Sequence, residues 1–355
     1  PSAPDLSPIR QGVLARVIAF SVANPFAILV ITLLLALAGY QSFRHLPLDA
    51  IPDLSDTQVI VFTEWKGRSP DIMEDQITYP IATTLLSAPQ VKTVRAQSMF
   101  GMSFVYAIFE DGTDLYWARS RVLEYLNTVT AQLPEGVAPR LGPDATGVGW
   151  GLQYALVDKT GQHNLADLRS FQDWSLRYWL RAVPGVADVA SVGGFVKQYQ
   201  VTVDPNLLRA YDVSLAQLRK ALQDSNNDVG GRSLEMTGRE YMIRGRGYLK
   251  SVSDIEHVVV KVDATGTPLL IKQVATVTLG PELRRGLVEL NGEGEAVGGI
   301  VMVRMGENMR DVLERVKTEI EKNRSAFPPG MELVITYDRS QLIDNALDTL
   351  KHKLG

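Results

Sequence analysis

No charged residue occurs between Arg16 and Arg44, a gap of 27 positions that is filled mostly by apolar side chains. An α-helix rises about 1.5 Å per residue and the hydrocarbon core of a bilayer is about 30 Å thick, so roughly 20 such residues cross it. The gap therefore predicts a membrane-spanning helix over residues 25–46. Asn24 is the expected N-cap and Pro25 the first helical residue.

Two other structures were weighed for this run, a cleaved signal peptide and a buried core helix. The run is longer than the apolar region of a signal peptide, and a core helix seldom lacks charge for this length. Arg10 and Arg16 precede the span, which by the positive-inside rule leaves residues 1–24 in the cytoplasm or at the membrane interface. About 300 residues then follow on the other side of the membrane.

Composition narrows the function classes. Lys and Arg number 36 against 40 Asp and Glu, a net charge of −4, which argues against nucleic-acid binding because that requires a clustered basic face. The absence of cysteine excludes disulfides and thiolate metal sites. The length suggests two or three domains beyond the membrane helix.

Hydrophobic periodicity predicts an α+β fold in the part after the membrane helix. Residues 47–141 alternate as β-α-β-β-α-β, the order of the ferredoxin-like unit. The predicted strands cover residues 57–65, 91–99, 102–110 and 137–141, and the predicted helices cover 70–87 and 114–133.

A second unit of the same kind is predicted from residues 142–192 and 285–337. Its strands are expected at 151–158, 186–192, 286–291, 297–305 and 331–337, and its helices at 165–183 and 308–325. Residues 193–284 interrupt it as an insertion, in which Ser214 caps a helix over 215–224. Strands are also expected there at 198–204, 258–262 and 274–279.

Within the insertion, residues 226–248 form a polar, glycine-rich stretch with two short β-like arms. A long loop in a compact domain is usually either functional or disordered. Spacing alone leaves two interpretations open, a flexible surface hairpin or an arm that reaches into a neighbouring subunit. The residues that matter for the second are Gly230, Gly231, Arg232, Gly238 and Gly245.

Catalytic motifs are lacking, so a membrane-anchored enzyme is disfavoured and no cofactor is expected. The histidines His45, His163, His257 and His352 are widely separated in sequence. Met99 and Met102 flank a predicted turn, and their thioethers are soft ligands suited to Cu(I) and Ag(I). Methionine is also common core filler and two thioethers alone make a poor site, so packing is the expected role and metal binding the alternative. Packing is likewise expected for Met302, Met305 and Met309.

Several long segments resemble the first periplasmic half of resistance-nodulation-division (RND) heavy-metal efflux pumps. The segments are Leu48–Val59, Phe109–Asp114, Tyr116–Leu126, Leu141–Trp150 and Asp338–Ile343. Leu141–Trp150 is more similar to the copper/silver (Cus/Sil-type) branch than to the zinc/cobalt/cadmium branch. The resemblance extends from about Ser21 to the last residue.

This resemblance implies a complete domain map. Residues 47–141 would be the porter subdomain PN1, residues 142–192 and 285–337 the subdomain PN2, and residues 193–284 the docking subdomain. The stretch 226–248 would insert into the next protomer of a homotrimer, and residues 338–355 would lead to a second membrane helix.

The resemblance also implies partners, location and energetics. Such pumps lie in the bacterial inner membrane as multi-pass proteins with a large periplasmic part. They join a periplasmic adaptor protein and an outer-membrane channel, and they export metal by proton antiport. Their proton relay and three-methionine metal site lie in later segments, so this chain is expected to be an N-terminal fragment.

One position departs from the copper/silver pattern. Those members carry methionine in a G-P-E-M-R-R-G stretch, whereas this chain has Leu283, which cannot bind metal and is expected in the core. A pump for divalent zinc, cobalt or cadmium is therefore an alternative. A membrane-anchored periplasmic binding or assembly module, complete as it stands, is another, because fold alone does not decide function.

Overall fold

A computed structural model describes residues 13–44, 49, 51, 53–245, 247–284 and 286–354. Its first elements are two helices, α1 (Val13–Ala23) and α2 (Pro25–Arg44). Helix α2 begins at Pro25 as predicted, and the Asn24 side chain before it donates to the Phe20 carbonyl at 3.2 Å. Among the described residues, α2 is the one helix long and apolar enough to cross a membrane, and its stretch Pro25–Ser42 is not buried within the chain.

The chain divides into two compact units. The first unit holds the described residues up to Gly149, together with Val303–Arg315 and those from Arg339 onward. Trp150–Met302 and Val316–Asp338 form the second.

The first unit contains one four-stranded sheet. Its elements are β1 (Gln58–Glu64), α3 (Pro70–Met73), a π-helical turn (Glu74–Thr78), α4 (Tyr79–Leu86), β2 (Val91–Met99), β3 (Met102–Phe109), α5 (Leu115–Thr130) and β4 (Arg140–Leu141). The strands lie in the order β2-β3-β1-β4, and each neighbouring pair is antiparallel. The element order predicted for this stretch is present, and the predicted helix over 70–87 is one continuous rod with a π-helical turn inside it.

Alternation of apolar and polar residues puts one face of this sheet in the core. Val59 and Val61 of β1 are fully buried, whereas Ile60 and Phe62 between and after them are only partly buried. The helices cover this face with Ile77, Ile81, Leu85, Val122 and Leu126, which belong to the same apolar cluster as Val59 and Val61. Helix α5 begins where predicted, because the Asp114 carboxylate accepts the Trp117 N–H at 2.8 Å.

The π-helical turn carries a buried group of hydroxyls. Thr78 donates to the Met73 carbonyl at 3.1 Å and lies 2.8 Å from the hydroxyl of Ser103 on β3. Ser98 on β2 donates to Thr78 at 2.9 Å. Since buried polar groups need partners, the turn and the two strands satisfy one another.

The second unit contains a long insertion between its second and third sheet strands. The elements from Trp150 to the insertion are β5 (Trp150–Asp158), α6 (Leu165–Phe171), a π-helical turn (Gln172–Leu176), α7 (Arg177–Arg181) and β6 (Val186–Gly193). The insertion holds β7 (Lys197–Val203), α8 (Pro205–Ala210), α9 (Leu215–Ser225), β8 (Val229–Met236), β9 (Arg239–Gly245), α10 (Val252–Glu256), β10 (Val259–Val262), β11 (Pro268–Leu270) and β12 (Ala275–Pro281). After it come β13 (Val297–Val303), α11 (Met309–Lys322), whose first residues belong to the first unit, β14 (Met331–Asp338) and α12 (Arg339–Leu354), which lies in the first unit. The second four-stranded sheet has the order β14-β5-β13-β6.

Both sheets therefore place their strands in the same spatial sequence, fourth, first, third, second. In both, the helix after the first strand contains a π-helical turn. The strand predicted at residues 286–291 is wrong, because those residues form only a single bridge between Glu289 and Glu295. Strand β13 lies between β5 and β6, so β6 takes the place in the sheet that was expected for residues 286–291.

Inside the insertion, β7 pairs with β12 and β10 with β11, while β8 and β9 form a separate hairpin. Ser214 caps α9 as predicted, since its hydroxyl accepts the Gln217 N–H and the Gln217 side chain accepts the Ser214 N–H. Small apolar clusters lie between these elements, with Ile271 and Val274 fully buried.

Gly299 of β13 faces the bulkiest aromatic residue buried in the second sheet. It lies directly opposite Tyr154 of β5, and a β-carbon at Gly299 would overlap the tyrosine ring. The Tyr154 hydroxyl donates to the Gln172 side chain at 3.0 Å, and Gln172 in turn donates to Ser191 at 3.2 Å. Burial, the largest influence, raises the pKa of Tyr154, so its hydroxyl stays protonated and acts as a donor.

Replacing Gly299 with alanine is expected to lower the free energy of unfolding by about 1–3 kcal/mol, the usual cost of overpacking a core. Thermal unfolding of the chain in detergent, followed by circular dichroism, measures this. Gly147→Ala is the matched control, because a β-carbon there meets no atom within 4 Å. Equal melting temperatures for the two variants would show that the ring does not occupy this space.

Candidate functional site

Arg339, at the start of α12, is the largest fully buried side chain and only 2% exposed. Its Nε donates to Asp49 Oδ1 at 2.9 Å, and its Nη2 donates to the Ile51 carbonyl at 2.9 Å. Its Nη1 donates to the Val148 carbonyl. We call Arg339, Asp49, Ile51 and Val148 the arginine hub; it joins three chain segments of the first unit.

A second contact fixes the same segments next to the hub. Thr146 donates its hydroxyl to Asp53 Oδ2 at 2.6 Å, and the Ser55 N–H donates to the other oxygen at 3.1 Å. Burial alone would raise the pKa of Asp53, but these hydrogen bonds and the charge of Arg339 outweigh it and lower the pKa below its ordinary value. Asp53 is therefore held as a carboxylate.

Asp144 ties the turn before β5 to two further elements of the first unit. Its carboxylate accepts the Tyr116 hydroxyl at 3.0 Å and pairs with Arg304 at 3.3 Å. The hydrogen bond to Asp144 raises the pKa of the Tyr116 hydroxyl and outweighs the opposing charges of Arg304 and Arg119. At the end of this turn a β-carbon on Gly149 would lie 2.8 Å from the Val303 carbonyl, so only glycine fits.

The hub was not foreseen as a site, although three of the resembling segments meet there. Asp49 and Ile51 lie in Leu48–Val59, Val148 in Leu141–Trp150, and Arg339 in Asp338–Ile343. An arginine and an aspartate 290 positions apart give no local pattern, so only the coincidence of the three segments could have signalled the contact.

A metal site built from His, Asp and Glu side chains is not found in the described part of the chain. No group of three His, Asp or Glu residues there could hold a metal ion. His163 contacts the Pro329 carbonyl at 3.0 Å and His257 contacts the Ser253 carbonyl at 2.6 Å, while His45 lies outside the described residues.

The two candidate methionines are not core filler. Met99 and Met102 are direct partners at the end of the β2–β3 hairpin, and Met99 is 40% exposed. The expectation of core packing is wrong for Met99, whereas Met102, on the same face away from the helices, is half-buried. Met309, in contrast, is buried as expected, whereas Met305 is exposed.

Leu283 is also not where it was expected. It lies in the irregular segment after β12 and its side chain is 75% exposed. The sequence pattern around it is not periodic, so its apolar character was a poor guide to burial.

Residues 229–245 form the antiparallel hairpin β8–β9, which we call the arm. Its two-residue turn is Thr237–Gly238, and both residues have positive φ, as the type I′ turn of a hairpin requires. A β-carbon on Gly231 would lie 2.7 Å from the Ile243 carbonyl, whereas Gly230 has open space around it. At Gly245 a β-carbon would meet only ordinary contacts, and nothing is described of the Arg232 side chain.

The arm exposes apolar side chains along its length. They are Val229, Leu234, Met236, Tyr241, Met242 and Ile243, with Met242 89% exposed. At its base, Asp228 pairs with Arg244 and accepts the Gly247 N–H at 3.1 Å. The base is thus held in place, while the apolar side chains beyond it are exposed, as far as the described residues extend.

Comparison with known proteins decides the family. The sequence profile of the AcrB/AcrD/AcrF family matches residues 17–355, almost the whole chain. The chain belongs to this family. The resemblance to RND heavy-metal pumps is thereby confirmed.

Individual members of the family are similar along the whole chain. The cation efflux system protein CusA of Escherichia coli K12 is 55% identical over 94% of this chain and 32% of its own length. The putative cation efflux system protein SilA of Salmonella typhimurium is 53% identical over the same shares. The cobalt-zinc-cadmium resistance protein CzcA of Cupriavidus metallidurans is 36% identical over 96% of this chain and 32% of its own.

A solved structure agrees with the fold. A crystal structure of a heavy metal efflux pump superposes with a TM-score of 0.84 at 30% identity, over 95% of this chain and 33% of that one. This family member thus spans about a third of the length of the relatives it matches.

Arg339→Met is expected to destabilise the first unit by about 3 kcal/mol, because it leaves a half-buried carboxylate and two carbonyls without their donor. Unfolding in urea, followed by tryptophan fluorescence of the chain in detergent, measures the loss. The control is Arg121→Met, which breaks the exposed pair with Glu124 and should cost about 0–1 kcal/mol. If both variants unfolded at the same urea concentration, the hub would not stabilise the unit.

Proposed function

We propose that this family member is the N-terminal third of a proton-driven exporter of Cu(I) and Ag(I). The observation that carries the proposal is the difference in identity between two groups of relatives. Identity is 55% and 53% to the cation efflux proteins CusA and SilA but 36% to the cobalt-zinc-cadmium protein CzcA. This difference in identity agrees with the similarity of Leu141–Trp150 to the Cus/Sil-type branch.

In this proposal α2 is the first membrane helix of an inner-membrane protein, and residues 1–24 lie on the cytoplasmic side. Residues 47–141 serve as the porter subdomain PN1, and residues 142–192 with 285–337 serve as PN2. The repeated strand order of the two sheets supports this duplication. Residues 193–284 are the docking subdomain, and 338–355 lead to a second membrane helix.

The arm in this proposal inserts into the next protomer of a homotrimer, which an adaptor protein and an outer-membrane channel complete. Its support is physical. Exposed Leu234, Tyr241, Met242 and Ile243 would cost free energy in water, at about 25 cal/mol per Å² of apolar surface, unless another surface covers them.

The arginine hub suits a part that couples the membrane helices to the porter. It binds the segment after α2, the turn before β5 and the first residue of α12 through one guanidinium. Because a guanidinium presents its donors in a fixed plane, these three segments keep one mutual geometry.

Expression of the full-length gene in a strain that lacks its own metal exporters tests the substrate. We expect it to restore growth on copper and silver but not on zinc or cobalt, since a pump built on thioether ligands selects soft monovalent ions. An empty vector and a gene truncated after the codon for Gly355 are the controls. Growth restored on zinc or cobalt instead would contradict the proposal.

Deleting residues 230–245 from the full-length protein is expected to weaken trimerisation while both sheets stay folded. The deletion removes the exposed apolar strands but lies outside both four-stranded sheets. Native mass spectrometry in detergent measures the trimer. Replacing Arg239 and Glu240 at the tip by serine keeps the apolar surface and serves as the control; intact trimers after the deletion would rule out an assembly role.

A further inference from the structure

We propose that the end of the β2–β3 hairpin is a binding site for one Cu(I) or Ag(I) ion, with the thioethers of Met99 and Met102 and the carboxylate of Glu64 as ligands. The site itself stands on geometry. Its part in export rests on the proposed function.

The three side chains form a row across three adjacent strands. Met99 of β2 is the direct partner of Met102 of β3, and Met102 is the direct partner of Glu64 of β1. Directly opposite residues point to the same face of a sheet, with their β-carbons about 4.5–5.5 Å apart. Two long thioether side chains at this spacing can reach a single ion.

The neighbouring row shows which face this is. Each of the three ligands has a small hydroxyl residue next to it in the chain: Thr63 beside Glu64, Ser103 beside Met102 and Ser98 beside Met99. The hydroxyls of Ser103 and Ser98 contact Thr78 beneath the helices. Because side chains alternate between faces, Met99, Met102 and Glu64 lie on the face that the helices leave open. Met99 and Glu64 are exposed there and Met102 is half-buried, so an ion can reach them.

The turn between the two methionines is held in one conformation. The Trp65 N–H donates to the Gly101 carbonyl at 3.0 Å, and the Gly101 N–H donates to the Arg68 carbonyl at 2.8 Å. Gly101 has a φ of +69°, which favours glycine, and a β-carbon there would approach the Trp65 carbonyl at 3.3 Å. A fixed turn holds the backbone of both ligands in place before the ion arrives, which lowers the cost of binding.

The chemistry of the row fits a soft monovalent cation. Thioethers favour Cu(I) and Ag(I) over the hard ions that carboxylates and waters prefer. They carry no charge, so the single carboxylate of Glu64 balances a single positive charge. Phe62 and Phe104 follow on the same face with ring centroids 5.1 Å apart, and they wall the site on one side with apolar surface.

Silver binding by the whole 355-residue chain in detergent tests this site. We expect Ag(I) to shift the methyl carbon signals of Met99 and Met102 in a chain labelled with [ε-¹³C]methionine. In calorimetry, Met99→Leu with Met102→Leu should weaken Ag(I) binding at least about ten- to a hundred-fold, the loss seen even for outer-shell changes at metal sites. Glu64→Gln should give an intermediate loss, and Zn(II) should produce no shift.

Met236→Leu with Met242→Leu is the matched control. Both thioethers are exposed on the arm, but their partners are Arg239 and Ser233, so they do not face each other. Silver affinity of this variant should equal that of the unchanged chain. Equal affinity in the hairpin variant, or an equal loss in the two double variants, would overturn the site.

The outcome can be separated from the substrate test. If the hairpin variant binds silver as before while the full-length gene still protects against copper and silver, the site is wrong and the exporter stands. If silver binds at the hairpin while the gene protects only against zinc or cobalt, the exporter proposal is wrong and the site stands.

Discussion

One buried guanidinium holds together three chain segments of the first unit: the segment after α2, the turn before β5 and the start of α12. Arg339 gathers a carboxylate and two carbonyls from segments that are almost 300 positions apart in sequence. A buried charge without partners costs several kcal/mol, so the three segments must come together for the arginine to be tolerated at all. Asp53 with Thr146, and Asp144 with Tyr116 and Arg304, then extend the same connection outward.

Much of the fold could be predicted from the sequence, because it depends on local chemistry. The alternation around Val59 and Val61, the capping side chains Asp114 and Ser214, and the glycine-containing turn of the arm each act within a few residues. The strand predicted at 286–291 failed for the opposite reason. Its residues are apolar enough for a strand, but the edge of β13 is already paired with β6.

The sites were less predictable, because they depend on contacts between distant residues. Nothing local marks Arg339 as buried or links it to Asp49. Met99 and Met102 form a recognisable pair in the sequence, but the face of the sheet that they occupy follows from the contacts of Ser98 and Ser103 with Thr78 under the helices. The partner of Met102 on β1, Glu64, depends on strand register, which the sequence does not give.

Each π-helical turn holds a polar side chain whose buried contacts constrain the number of residues in its helix. Adding or removing one residue rotates the rest of an α-helix by about 100°. In the first sheet that rotation would carry Thr78 away from Ser98 and Ser103, and in the second it would carry Gln172 away from Tyr154 and Ser191. Removing one residue from either helix would therefore leave buried polar side chains without their partners, which costs free energy of unfolding.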